Sequence, residues 1–196
     1  MKRLLACLLL GAAGAACGET ADRDKPIQVE AQKGSYNDLK QAGVFSGNVI
    51  VTKGTIRVTG ERVELRKDPE GYEQAVVTAA PGQLARFRQR RDSSRPGAEE
   101  YIEGLAERIE YDGRAETIKL VTRAQLIRLE NDQQRDELRG NLITYDSRST
   151  EYNVDSATTP GADGRVRAII APRNNAPATS EPAPLKPAPT IERPRQ

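Results

Sequence analysis

Between Val44 and Val58 the chain alternates between apolar and polar residues in two short runs. Phe45, Val49 and Val51 share one face at period two. Ile56 and Val58 continue that face, with Lys53 and Arg57 assigned to the other side. β-Branched residues fill both runs, and Gly47 and Gly54 punctuate them. The stretch predicts a strand, a glycine corner and a second strand, because this mixture opposes a helix.

The same grammar recurs along the chain. Glu61-Arg62-Val63-Glu64-Leu65 returns as Glu107-Arg108-Ile109-Glu110-Tyr111, more weakly as Asn141-Leu142-Ile143-Thr144-Tyr145, and most faintly as Gln32-Lys33-Gly34-Ser35-Tyr36. Polar turns follow at Asn37-Asp38, Asp68-Pro69-Glu70-Gly71, Asp112-Gly113-Arg114 and Asp146-Ser147-Arg148. A second strand is expected after each turn, and then a third, over 48–53, 83–89, 124–130 and 165–170. Pro26 introduces a short alternating strand over Ile27–Ala31. No segment carries an apolar helical stripe, and Asn131 to Leu138 could form one charged helical turn at most. One such unit cannot bury its apolar face alone, so stacked units should fold into two facing antiparallel sheets, a jelly roll or β-clamshell.

Four segments follow from this reading. Residues 1–17 form a cleavable signal peptide, with Lys2 and Arg3 before the apolar run Leu4–Leu10 and small residues up to Ala16. The run is too short to cross a bilayer. Cleavage before Cys17 is favoured over acylation of Cys17 as a lipoprotein. Residues 18–25 are a polar lead-in, 26–170 the β-domain, and 171–196 a Pro/Ala-rich disordered tail. Residues 88–100, rich in arginine, read as an exposed loop. Its cations suit either lipid phosphates or a solvated hairpin tip.

Composition narrows the chemistry. The chain has 196 residues, 37% of them hydrophobic, which is lean for a well-filled core. Thirty basic residues against 28 acidic ones leave a net charge of +2, which argues against a nucleic-acid partner. There is no His and no Trp, and both cysteines, Cys7 and Cys17, sit at the leader. The commonest general base, the commonest metal ligand and any disulfide of the mature domain are thereby removed. Glu61 with Glu64 and Glu107 with Glu110 lie three apart, on opposite faces of a strand, so neither pair can act together locally. The residues therefore favour neither an enzyme nor a metal site, although a distant carboxylate pair could still meet in the fold. The inward apolar residues are either packed core or a conduit for acyl chains. The end strands are either covered or open to another chain.

The hairpin Phe45–Val58 closely resembles the signature of the LptA/OstA-like family of periplasmic lipopolysaccharide-transport proteins. Further marks are Pro26–Ala31, Ala85-Arg86-Phe87, Ile102-Glu103-Gly104 with Ile109-Glu110-Tyr111, and Leu138–Asn141 with Ile143-Thr144-Tyr145. The resemblance implies an all-β, open, twisted β-jelly roll without significant helix. It implies a carrier that bridges inner and outer membranes for lipopolysaccharide, without catalysis and without a cofactor. The lipid A groove would use Ile27, Val29, Phe45, Val49, Val51, Ile56, Val58, Phe87, Ile109 and Tyr111. Ile27 and Val29 would also mark an edge for an LptC-like inner-membrane partner. Val166, Ile169 and Ile170 would mark the edge for the next copy, head to tail, or for an LptD-like translocon. A scaffold of the same fold without a lipid path is the alternative.

Overall fold

The fold is seen in a computed structural model that describes residues 19–93, 95, 97–156 and 164–172. The expected signal peptide and nearly all of the expected tail lie outside the described residues. One helical turn, α1 (Glu19–Asp22), precedes twelve antiparallel strands: β1 (Gln28–Glu30), β2 (Lys33–Asn37), β3 (Ala42–Lys53), β4 (Ile56–Lys67), β5 (Glu73–Thr78), β6 (Ala85–Arg91), β7 (Glu100–Ala106), β8 (Arg108–Asp112), β9 (Thr117–Glu130), β10 (Gln133–Asp146), β11 (Glu151–Asp155) and β12 (Arg167–Ile169).

The pairing resolves into two layers because four long strands change partner midway. β3 pairs with β2 over 42–46 and with β1 over 50–52. β4 pairs with β5 over 62–67 and with β6 over 57–59. β9 passes from β8 to β7, and β10 from β12 to β11. One layer therefore runs β2-β3-β4-β5-β8-β9-β10-β11, and the other β1-β3-β4-β6-β7-β9-β10-β12. The four sequence repeats are the four hairpins of the first layer, and the expected third strands all fall in the second.

Each crossing needs a corner. In β3 the register slips at Gly47 and Asn48, which have φ of 86° and 48°. In β9 Thr122 and Arg123 take the left-handed region, at 66° and 53°, which costs side-chain-bearing residues energy. In β10 the slip lies between Gly140 and Leu142. The corners join the layers along one side, and the hairpin tips of both layers lie along the other, open side. Side chains from both layers meet in a single core, with Val63, Val77, Ile109, Leu120 and Ile143 from the first and Val49, Val58, Phe87, Ile102 and Leu126 from the second.

Three expectations are corrected. Asn131 to Leu138 is not a helical turn. Asn131 and Asp132, at φ 50° and 60°, form a two-residue hairpin loop, and β10 follows directly. Arg88 to Arg91 belong to β6 and not to a loop, which spans only 92–99 between β6 and β7. Lys53 does not turn outward. It shares the parity of Val49 and Val51 and is buried with them, at 6% exposure.

The arginines of this region are engaged across strands rather than free. Arg86 and Arg88 both meet Glu103, Arg88 lies over the Tyr101 ring, and Arg95 meets Glu130 at 2.6 Å. Glu64, Glu107 and Glu110 likewise pair with Arg62, Arg123 and Arg108 at the surface.

The β10 hairpin carries three carboxyls held below their ordinary range. Arg95 does this for Glu130, Arg139 for Glu137, and the backbone N–H of Ser149 for Asp146. A depressed carboxyl stabilises the fold above its unfolded pKa, near 4.5 for Glu and 3.8 for Asp. That contribution is lost as pH falls through the folded value. Glu137 sits opposite Ile169 of β12. Acidification from about pH 5 to about pH 3 should therefore loosen β10 to β12 before β3 and β4. Residue-resolved hydrogen exchange checks this, and equal loss of protection in both regions would contradict it.

Candidate functional site: an apolar interior and its mouth

The alternation of β3 aims its odd positions into the space between the layers, and β4 aims Ile56 and Val58 there before its corner and Val63 and Leu65 after it. Val49, Val51, Ile56 and Val58 are all buried there, and Phe87 and Ile109 join them from β6 and β8 at 1% and 2% exposure. Ile27, Val29, Phe45 and Tyr111 are partly buried and pack against the same cluster. All ten expected groove residues thus meet in one apolar body. They divide by depth. Ile27, Val29, Phe45, Ile56 and Tyr111 line an open cavity of about 1160 Å³ at the hairpin-tip side, the mouth. Val51, Val58, Phe87 and Ile109 line the interior behind it, where the free volume is only about 20 Å³. That is room for about one water. Val49 lies in the filled core.

The mouth is polar at its rim. Arg23, Lys67, Arg114 and Arg148 line it together with Glu70, Glu73 and Glu116. Arg114 draws the tips of the β4–β5 and β8–β9 hairpins together through Asp68 at 3.2 Å and Glu70 at 2.7 Å, and lies 5.0 Å from the Tyr72 ring. Two contacts cross from layer to layer. Lys53 Nζ, at the end of β3, lies 2.6 Å from Glu73 Oε2, at the start of β5. The second crossing is made by the lead-in. Asp22 is 3% exposed, and its Oδ1 accepts from the Thr55 N–H at 2.6 Å. Its Oδ2 accepts from Thr55 Oγ1 at 2.6 Å and Gln89 Nε2 at 3.0 Å. All these partners belong to the β1–β12 layer. The next residue, Arg23, reaches Glu116 in the other layer at 2.7 Å. Burial pushes the Tyr111 hydroxyl up to about 12, with Glu73 and Glu116 adding to the shift.

Lys53 and Asp22 escape a reading based on apolar periodicity, because such a reading assigns charges outward. Parity with Val51 was the available signal for Lys53. For Asp22 none existed, since its partners lie 33 and 67 positions away. At the two ends, β1 pairs only with β3 and β12 only with β10, among the described residues. Val166, Ile169 and Ile170 are exposed at 49%, 45% and 75%. Among the described residues no group of His, Cys, Asp and Glu could hold a metal ion, and no helix is long and apolar enough to cross a membrane.

Repeated hairpins in one layer, their return strands in the other, corners along one side and an apolar interior opening on the other define an all-antiparallel β-jelly roll of clamshell form. The chain belongs to the family described as LptA/(LptD N-terminal domain) LPS transport protein, which matches residues 28–151. Its relatives include the lipopolysaccharide export system protein LptA of Escherichia coli K12, 31% identical over 145 residues, covering 74% of this chain and 72% of that protein. Another is the lipopolysaccharide export system protein LptH of Pseudomonas aeruginosa, 28% identical over 80% of this chain and 85% of its own. The fold matches the crystal structure of LptH, described as the LptA-homologous periplasmic component of that organism's lipopolysaccharide transport device. The TM-score is 0.64 at 22% identity, covering 77% of this chain and 99% of that one.

Proposed function

We propose that this protein is a periplasmic carrier that takes the acyl part of lipopolysaccharide into its clamshell and passes it toward the outer membrane. The observation that carries this reading is the single apolar body formed by all ten inward residues and opening at the mouth, in a chain of the LPS transport family. The energetic logic is simple. Each acyl CH2 exposed to water costs about 0.8 kcal/mol, so a lipid with several chains needs a continuous apolar surface to cross an aqueous space. The carrier works by binding and release, without catalysis and without a cofactor, and energy for directed movement comes from a partner.

The jelly-roll unit is residues 26–170, preceded by an export signal. The β1 edge, at Ile27 and Val29, receives an LptC-like inner-membrane partner. The β12 edge, at Val166, Ile169 and Ile170, receives another copy or an LptD-like translocon. Open edges favour such strand addition, because they present unpaired backbone donors and acceptors. The competing reading, a scaffold with a closed core, is favoured by one observation: the interior behind the mouth holds only about 20 Å³ of free space.

A photo-crosslinking side chain decides between them. Placed at Phe45, which lines the mouth, it should capture lipopolysaccharide in cells. Placed at Arg57, exposed on the outer face of β4, it should not. A folded protein that captures no lipid from Phe45 would return the scaffold reading.

A further inference from the structure

Lys53 is an ammonium on the wall of an apolar space. Its side chain is 7% exposed, and it shares that space with Ile27, Val51, Ile56 and Tyr111. Glu73 is the carboxylate within ion-pair range of it among the described residues, and the two are not neighbours in any ladder. Lys53 is registered with Ile56, and Glu73 with Lys67. Their contact therefore ties the layers across the mouth. Parting the layers there separates the pair.

The two partners are not equally placed for separation. Glu73 has a second cation, Lys67, at 3.9 Å and 44% exposed. Lys53 has no second anion in range among the described residues. A buried ammonium without a counter-ion is costly, and an arriving anion removes that cost. The filled interior behind the pair means that a chain can enter only when this side opens.

Resting on the carrier reading, we propose that Lys53 and Glu73 form an exchangeable counter-ion pair: the acidic headgroup of an acyl lipid, a phosphate monoester, replaces Glu73 on Lys53 as the mouth opens. Lys53 is then a selectivity residue for anionic over neutral lipids, and Glu73 is a competitor that keeps the empty clamshell shut. Exchange of one anion for another keeps Lys53 paired throughout, so opening does not strand a buried charge.

The test measures binding of fluorescently labelled hexa-acyl lipid A, in its bis-phosphorylated and phosphate-free forms, to the full chain and two variants. Lys53→Met should cut the preference for the phosphorylated over the phosphate-free form about tenfold, the scale of a hydrogen-bonded charge. Glu73→Gln should tighten both forms, because the pair must part before either lipid enters, and should keep the preference for the phosphorylated one. Loss of the phosphate preference at one member of an ion pair, with tighter binding and the preference kept at the other, is what a purely structural bridge cannot produce. If both variants weaken both lipids in step with a fall in Tm, the exchange is wrong. If Lys53→Met fails to fold, the sign of the Glu73→Gln effect still decides. Inorganic phosphate that competes as well as the lipid would overturn a lipid-borne headgroup as the ligand. Wild-type protein that binds both forms equally overturns the exchange and keeps the carrier. Wild-type protein that binds neither overturns the carrier reading itself.

Discussion

Replacing Phe87 with alanine is expected to lower the unfolding free energy by about 3–5 kcal/mol. The ring is 1% exposed and stands in the centre of the β1–β12 layer, between Val58 on β4 and Gly104 on β7 in register. Gly104 leaves the space that the ring and Leu120 fill. A Cβ there would come within 2.8 Å of the Leu120 methyl carbons and 3.3 Å of the ring. Neighbours on two ladders hold these positions, so the site cannot collapse readily onto an alanine, and the cost should sit in the upper part of the large-to-small range. Urea unfolding of Phe87→Ala beside Arg57→Ala measures it. Arg57 lies outward, and its loss should stay within about 0.5 kcal/mol. A Phe87→Ala loss below about 1 kcal/mol would mean that the two layers are not packed on one another at this point.

The second large effect is expected at a corner. Gly60→Val should cost about 3 kcal/mol or more, near or beyond the top of the usual overpacking range. β4 leaves β6 and joins β5 at this point, and the turn brings its backbone close to β5. A Cβ on residue 60 would stand 2.6 Å from Val77 Cγ1 and 2.9 Å from the Thr78 carbonyl oxygen. A rotamer change could relieve the first contact, but the second is with backbone, so the crossing itself must shift. Glu61→Ala, one residue on and exposed, is the matched control and should be nearly neutral. Equal Tm values for the two variants would place the crossing elsewhere along β4.

Hairpins were the most legible part of this chain. Val63, Ile109, Ile143 and their alternating neighbours each run into a turn built from Asp, Asn, Gly or Pro. Both signals are local, because alternation reflects the pleat and turn residues reflect backbone angles, and neither depends on a distant partner. The inward set was legible for the same reason. Asn131-Asp132 was harder, since a left-handed two-residue loop without glycine is a weak signal within a charged stretch. The corner at Thr122-Arg123 has no local signal at all, because neither residue favours φ above zero, and tertiary pairing on both sides imposes it.

The amino-acid sequence by itself therefore determined an all-β chain of repeated hairpins, the faces their side chains would share, and the family to which those hairpins are similar. Tertiary structure alone decided which strand halves lie in which layer, where the apolar interior opens, and which charges face it. Alternation specifies a face, but it cannot specify the partner across that face. Lys53 and Glu73 are 20 positions apart, and Asp22 and Gln89 are 67 apart. The first pair exists only once the two layers have closed on one another, the second only once the lead-in has packed against β6, and each makes a buried charge cheaper to pair than to expose.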